Sequence, residues 1–263
     1  MEFLFPGGAK KALTFSYDDG QMFDARLIEL FHRYSLKGTF HLNSGTLGDE
    51  GYIRAQAVPE LYRGMEVAGH SVTHAYLDRI PRHLAMREIW EDKRNLERIT
   101  GRTVRGFSYP FGEFGEEAAE CLKRAGLEYS RTVRPTYQFG WPHDFLRWDP
   151  TCHHNQVSDE LVGHFLNPPD YEKTLLFYIW GHSFEFEREQ TWKHFEEICE
   201  KLSGHADVWY ASNIEIKEYI AAVRNLVLSA DSDMLYNPSA QTVVVENRGN
   251  IVEAEPGKTI RIP

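Results

Sequence analysis

Hydrophobic and polar positions follow two alternating periods along residues 11–228. Short apolar runs rich in β-branched and aromatic side chains predict buried strands over residues 12–17, 38–42, 66–69, 104–109, 127–132, 145–148, 175–180 and 208–211. Between several of them, apolar residues recur every three or four positions. This period predicts amphipathic helices over residues 23–34, 81–100, 115–125, 191–202 and 214–228.

Strand and helix thus alternate about eight times, which is typical of parallel βαβ units. A doubly wound open sheet and a closed (β/α) barrel share this pattern, and periodicity does not choose between them. After Ser229 the chain changes to short alternating segments at 242–246, 250–254 and 259–262, separated by turn residues. We therefore expect one α/β domain over residues 1–230 and a small antiparallel β appendage over residues 231–263.

The composition is that of an ordinary globular protein, with 263 residues, 42% hydrophobic and 26% charged residues. The net charge of −10 argues against nucleic acid or an anionic membrane as the main partner. Three widely spaced cysteines do not form a disulfide framework. No apolar stretch reaches the ~20 residues of a membrane span, and the first residues lack the basic region of a secretory signal. These features predict a cytoplasmic location.

Two predicted strands lead directly into residues that suit metal chemistry. Asp18 and Asp19 are adjacent carboxylates, and like charges side by side repel unless a cation relieves them. His70 and His74 follow the strand at 66–69, at a spacing that lets two imidazoles bind one metal. One Asp and two His with open positions form a catalytic zinc set. The same set is the facial triad of non-haem iron oxygenases.

Two other strands end in candidate catalytic groups. The apolar strand at 175–180 runs into Gly181 and His182, and an imidazole can act as a general acid near neutral pH. The strand at 104–109 ends in a rigid corner at Tyr109 that can present a backbone N–H and ring faces to a ligand. Trp148 is a candidate for stacking on a sugar.

Two further segments are expected to have no catalytic or metal-binding role. In Cys152-His153-His154, neighbouring side chains of an extended chain point to opposite sides, so we do not expect all three to converge on a metal. The charge run at 185–189 indicates a solvated face.

In this order along the chain, four segments resemble the polysaccharide deacetylases of the NodB-homology type (carbohydrate esterase family 4). They are Ser16-Tyr17-Asp18-Asp19-Gly20, His70-Ser71-Val72-Thr73-His74, Ser108-Tyr109-Pro110-Phe111-Gly112 and the apolar strand ending in His182. The resemblance implies a distorted (β/α) barrel of seven or eight strands. It also implies hydrolysis of acetyl groups on an N- or O-acetylated sugar or oligosaccharide.

The resemblance also assigns roles to residues. It implies one divalent metal, usually zinc, held by Asp19, His70 and His74, and Co, Ni and Mn also accept these ligands. Asp18 is then the general base and His182 the general acid. The backbone N–H of Tyr109 is expected to face the substrate.

The chain departs from the family at two places. Members often carry an arginine at the position of Ser108, where it holds the catalytic aspartate, and we expect Arg147, ahead of Arg105, to replace it. The family stretch that orients the acid histidine is suggested here only by Arg147-Trp148-Asp149.

Three other functions are compatible with these residues. A hydrolase of cyclic imides or amides, such as an allantoinase, uses the same scaffold. An iron-dependent oxygenase predicts an antiparallel jelly roll, against which the βα alternation argues. A catalytically weakened carbohydrate-binding relative is favoured by the missing arginine alone. The sequence is compatible with a homo-oligomer and does not identify the sugar.

Overall fold

The computed structural model describes residues 1–263 and contains fourteen strands and eight α-helices. The strands are β1 (Glu2–Leu4), β2 (Lys11–Asp19), β3 (Gly38–Leu42), β4 (Glu66–Gly69), β5 (Gly106–Ser108), β6 (Tyr129–Arg131), β7 (Cys152–His153), β8 (Leu175–His182), β9 (Val208–Tyr210), β10 (Val227–Leu228), β11 (Met234–Tyr236), β12 (Val243–Asn247), β13 (Asn250–Ala254) and β14 (Thr259–Arg261). The helices are α1 (Asp24–Arg33), α2 (Val58–Leu61), α3 (Arg82–Thr100), α4 (Glu116–Arg124), α5 (Asp159–Leu166), α6 (Ser183–Arg188), α7 (Trp192–Leu202) and α8 (Asn213–Arg224).

The centre of the molecule is a curled sheet of parallel strands. Seven strands lie in the order β6-β5-β4-β3-β2-β8-β7, and β9 pairs with the first residues of β2. Irregular chain closes the gap between β6 and β8. Trp148 N–H donates to Ser130 O of β6, and Thr151 N–H donates to Tyr178 O of β8. This architecture confirms the predicted α/β class with a distorted barrel.

Apolar residues explain why the helices cover this sheet. Phe15 and Tyr17 of β2 pack against Phe31 of α1 and Phe195 of α7, with ring centroids 4.8–6.2 Å apart. Strand β2 is buried along nearly its whole length, as expected for a parallel strand covered on both faces. The core therefore lies mainly between the sheet and its outer helices.

One predicted strand is wrong. Residues 145–148 do not form a strand, because a 3-10 turn occupies Phe145–Arg147 and the Asp144 side chain accepts the Leu146 N–H at its start. The local cap thus decides the structure here despite the apolar pattern. The strand that pairs with β8 follows later, at Cys152–His153. Helices α5 and α6 were not predicted.

The interior of the barrel is unusually polar. Thr14 Oγ1 donates to Asn213 Oδ1, and Asn213 Nδ2 donates to Tyr178 OH. Tyr129 OH and Thr39 Oγ1 both donate to the Glu66 carboxylate at 2.7 and 2.8 Å, and Thr39 Oγ1 accepts the Asn213 N–H. These bonds connect the strands and α8 through side chains as well as through the sheet.

Residues 231–263 form two small antiparallel sheets. In one, β12 pairs with β13 on one side and with β1 on the other, placing Phe3 opposite Val245. In the other, β11 lies between β10 and β14. Val243 and Val245 are buried in the same apolar cluster as Phe5, so both ends of the chain share one core. No helix of the molecule combines the length and the hydropathy needed to cross a membrane.

Gly106 of β5 is a glycine whose missing side chain matters to the packing of this sheet. A Cβ atom there would overlap the Tyr129 ring. We expect Gly106→Ala to lower the free energy of unfolding by about 1–3 kcal/mol through overpacking. Gly163→Ala is the matched control, because no atom lies within 4 Å of its Cβ position in α5. It should raise stability by about 0.5–1 kcal/mol. Urea unfolding measures both, and equal effects would contradict this packing.

Candidate active site

The predicted catalytic and metal-binding residues meet at the carboxyl ends of the parallel strands. Asp18 and Asp19 end β2, and His182, at the end of β8, is the direct cross-strand neighbour of Asp18. His70 follows β4, and Ser108 ends β5. Because all these strands run in the same direction, their ends converge on one face, where barrel enzymes build their sites.

Asp19, His70 and His74 bring three ligand atoms to one point, all within 4.8 Å of one another. The Oδ1 atom of Asp19 lies 3.7 Å from Nε2 of His70 and 3.7 Å from Nε2 of His74, too far for hydrogen bonds. Ligand atoms around a tetrahedral zinc ion are separated by about 3.4 Å, given Zn–N and Zn–O bonds of about 2.1 Å. Asp19 Oδ1 is also buried without a hydrogen-bond partner. The three residues therefore fit a divalent cation.

Hydrogen bonds orient His70 for this purpose. Its Nδ1 lies 2.8 Å from Ser108 O, which directs the proton to Nδ1 and leaves the lone pair of Nε2 facing Asp19. The His70 N–H donates to Asp92, and Asn43 Nδ2 donates to the carbonyl of His70. Burial lowers the pKa of His70 to about 3, so the imidazole is neutral, as a metal ligand must be.

Left-handed backbone is concentrated here. Asp19, Ser71, His74 and Phe111 have φ values of 81°, 67°, 55° and 60°. Such values are unfavourable for residues with a Cβ and persist only where the surroundings hold them. At Asp19 the turn bends the chain out of β2, so the two neighbouring carboxylates face different partners.

Asp18 is buried, with 2% of its surface exposed, and is held by two strands across the barrel. Arg131 Nη2 donates to Asp18 Oδ2, and Ser108 Oγ donates to Oδ1 at 3.1 Å. Burial alone would raise the pKa of Asp18, but the guanidinium of Arg131, followed by nearby imidazoles, brings it well below its usual range. The carboxylate is therefore ionised at neutral pH.

The expectation that Arg147 holds Asp18 is wrong. Arg147 lies at the surface and pairs with Glu116 and Asp144. Arg131, at the end of β6, binds Asp18 instead, because its side chain is buried inside the barrel beside this carboxylate. The sequence does contain a signal for it: an arginine inside the strand predicted at 127–132.

His182 contacts Glu185, a residue of the charge run that was expected to form a solvated face. Its Nδ1 lies 3.3 Å from Glu185 Oε2, and the same oxygen accepts the His182 N–H. Burial lowers the pKa of His182, but Glu185 and then Asp18 and Asp19 outweigh this effect, and the net pKa is raised. Asp149 does not orient His182; it pairs with Arg134 and Thr132.

The two aromatic residues predicted to bind substrate are buried, which makes that prediction wrong. Tyr109 is 1% exposed; its N–H donates to Arg131 O, and its OH donates to Leu146 O. Trp148 is also 1% exposed and packs against Tyr129 and Tyr178.

The exposed ring at this corner belongs to Phe111. Its centroid lies 4.3 Å from that of His74, edge to face, and it stacks on Tyr76 at 3.5 Å. Phe111 is 47% exposed, so this ring, rather than Tyr109 or Trp148, borders the open side of the cation cluster.

The Cys152-His153-His154 segment behaves differently from the expectation for extended chain. Strand β7 ends at His153, and a 3-10 turn begins at His154, so both imidazoles face Glu185. Cys152 is buried in the apolar core, away from them. The expectation that all three residues do not converge is therefore correct, but the two histidines do meet, because the strand ends between them.

Comparison with known proteins agrees with this arrangement. Residues 6–130 match the model of the family described as polysaccharide deacetylase. No curated protein sequence matches the chain.

Solved structures share the fold. PuuE allantoinase superposes with a TM-score of 0.63 at 14% identity, covering 81% of this chain and 91% of the other. The Xyl-CE4 domain of a multidomain xylanase from the hindgut metagenome of Trinervitermes trinervoides gives 0.56 at 18% identity, covering 81% and 92%. A family 4 carbohydrate esterase from Streptomyces lividans, in complex with acetate, gives 0.53 at 18% identity, covering 77% and 93%.

At these identities the structural likeness concerns the fold, while the family match concerns the sequence from β2 to the first residues of β6. Together they confirm the resemblance that the motifs predicted: residues 6–130 of this chain match the polysaccharide deacetylase family.

Proposed function

We propose that this protein is a metal-dependent hydrolase that removes acetyl groups from an N- or O-acetylated sugar or oligosaccharide. One observation carries the proposal. A buried, ionised carboxylate (Asp18), a three-residue cation cluster and an imidazole with a raised pKa (His182) lie at neighbouring strand ends on one face. Acyl transfer to water requires a base, an electrophile and an acid in one place. Asp18, a cation in the cluster and His182 would supply these three groups.

The proposed metal ligands are Asp19, His70 and His74. Their donor atoms suit zinc, and Co, Ni and Mn accept the same set. When bound, such a cation supplies Lewis-acid polarisation of the acetyl carbonyl group.

Asp18 is the proposed general base. Arg131 and Ser108 occupy its two oxygens from one side, so the carboxylate cannot rotate, and it stays ionised. Its remaining lone pairs can accept a proton from an attacking water. Positioned bases of this kind typically contribute 10²–10⁴-fold to the rate, as a rough range.

His182 is the proposed general acid. Because Glu185 and the two aspartates raise its pKa, a larger fraction of the imidazole carries a proton near neutral pH. It can donate this proton to the leaving nitrogen or oxygen of the sugar. The half-exposed Phe111 ring beside His74 offers an apolar border for a sugar ring.

A second candidate is hydrolysis of a cyclic amide, favoured by the likeness to an allantoinase with a TM-score of 0.63. Both reactions need the same three groups. Acetate release from acetylated oligosaccharides, assayed beside ring opening of allantoin, decides between them. Ring opening without acetate release would overturn the deacetylase proposal.

Asp18→Asn should abolish turnover while the protein keeps its metal. The amide cannot accept the proton, so we expect kcat to fall by about 10³-fold. Acetate release and elemental analysis measure the two effects. Asp149→Asn is the matched control and should leave kcat unchanged, because Asp149 pairs with Arg134 and Thr132. Loss of metal together with activity in Asp18→Asn would contradict the division of roles between Asp18 and Asp19.

His74→Ala should weaken metal binding by more than about 100-fold, because it removes one of three ligands. His74 is partly exposed, so the fold should survive. Metal affinity can be measured by competition with a chelating indicator. His83→Ala, at an exposed position on α3, is the control and should bind normally. Unchanged affinity in His74→Ala would remove this cluster from consideration.

His182→Ala should affect an amide much more than an ester. An amine leaves only if it is protonated, whereas an alkoxide leaves more readily. We expect kcat to fall by about 10²–10⁴-fold on an N-acetyl sugar and by less than about 10-fold on its O-acetyl analogue. Equal losses on the two substrates, measured by acetate release at saturation, would argue against His182 as the acid.

A further inference from the structure

We propose that His153, His154 and Glu185 form a second cation-binding site, distinct from the cluster of Asp19, His70 and His74. Their ligand atoms lie within 4.8 Å of one another. Neither the family match, which ends at residue 130, nor the proposed reaction assigns these residues to a metal.

The chain builds this cluster from two neighbouring elements. Strand β7 pairs with β8 and places His153 opposite Trp180. The 3-10 turn at His154–Gln156 then reverses the direction of the next side chain. Glu185 lies in the first turn of α6 and points back over the end of β8. The three side chains therefore meet because of backbone turns, at a place where a straight strand would separate them.

One carboxylate oxygen receives more nitrogen atoms than it can bond. Glu185 Oε2 lies 2.9 Å from His153 Nε2 and 3.5 Å from His154 Nε2. It lies 3.3 Å from His182 Nδ1 and also accepts the His182 backbone N–H at 3.2 Å. A carboxylate oxygen offers two lone pairs, so it cannot satisfy all four nitrogen atoms, and His154 Nε2 is left without a hydrogen bond. A cation among these atoms would bind the imidazole lone pairs and the carboxylate together.

His154 supplies the second, independent observation. It is 2% exposed, and neither ring nitrogen has a hydrogen-bond partner. Buried imidazoles normally satisfy at least one nitrogen. A metal bond at Nε2 would give this buried nitrogen the partner that it lacks.

The ring of His154 is held in the orientation that this bond requires. It stacks on Phe186, with centroids 4.2 Å apart, and on Tyr17 from further away. On its Nδ1 side lies Gly181, where a Cβ atom would overlap the imidazole. The ring therefore fills a place that a glycine leaves open, with Nε2 directed at Glu185.

Two imidazoles and one carboxylate favour zinc over calcium or magnesium, which prefer oxygen ligands. His153 Nδ1 accepts the Asn155 N–H at 3.3 Å, and metal binding at Nε2 would place the proton on Nδ1. Asn155 is exposed, so water can take over its N–H when the ion binds.

The test is the zinc stoichiometry of the full chain, titrated against a chelating indicator so that only sites of micromolar affinity or tighter are counted. The wild type should bind two equivalents, His74→Ala one, Glu185→Gln one, and the double variant none. Glu189→Gln, just after the end of the same helix, is the matched control and should bind two, because the Glu189 carboxylate contacts Asn155 and Arg188 instead of the cluster.

Saturation of the wild type at one equivalent, which His74→Ala loses, would overturn the second site. Two equivalents retained by Glu185→Gln would overturn it equally. Failure of the first site alone gives a different pattern, in which His74→Ala binds as much zinc as the wild type.

A second variant covers the case in which Glu185→Gln fails to fold. His153→Gln changes a partly exposed ligand, and thermal unfolding reports whether the fold is intact. A folded His153→Gln protein should lose one equivalent. With cobalt in place of zinc, the visible absorption of wild type minus His153→Gln should show a tetrahedral or five-coordinate ion with nitrogen and oxygen ligands. An unchanged spectrum would overturn the assignment.

Discussion

The ion pair between Asp18 and Arg131 is the constraint on which the arrangement of the site depends. Asp18 lies on β2 and Arg131 on β6, four strands away in the sheet order. In a flat sheet these strands would be about 19 Å apart, since neighbours are separated by about 4.8 Å. Both side chains are almost fully buried, so neither charge can turn to water. The sheet must curl until the two groups meet, and removing either one would leave an uncompensated charge in the interior.

This pair also separates the roles of two neighbouring carboxylates. Asp18 faces a permanent cation and has a lowered pKa, whereas burial, together with the charge of Asp18, raises the pKa of Asp19. The left-handed turn at Asp19 is what sends the two side chains to different partners. Neighbouring acids with opposite pKa shifts are a recurring sign of divided labour in hydrolytic sites. Here Asp18 is tied to protein groups, and Asp19 is left facing two imidazoles.

The sequence predicts the site to the extent that its residues follow strands. Asp18, Asp19, His70 and His182 come at the ends of apolar runs, and parallel strand ends share one face, so their convergence could be expected from the pattern. The positions of Arg131 and Glu185 depend on how far the sheet curls and where α6 begins, which hydrophobic periodicity does not report. The alternation rule does not predict that His153 and His154 meet, because it applies to extended chain and the strand ends between them. Tyr109 and Trp148 were misjudged because an aromatic ring that suits a sugar equally suits a core.

The pairing of β1 with β12 has a consequence for how the molecule assembles. Phe5 belongs to the same buried cluster as Val243 and Val245, and Leu4 pairs with Val244, although about 240 residues separate them in the chain. During synthesis β1 emerges from the ribosome long before β12, so its apolar side chains stay exposed to solvent until synthesis is nearly finished. The parallel strands beginning with β2 can pair earlier. Closure of this last layer is therefore a late, long-range event, and a chain cut short before residue 243 would expose a free strand edge at its beginning.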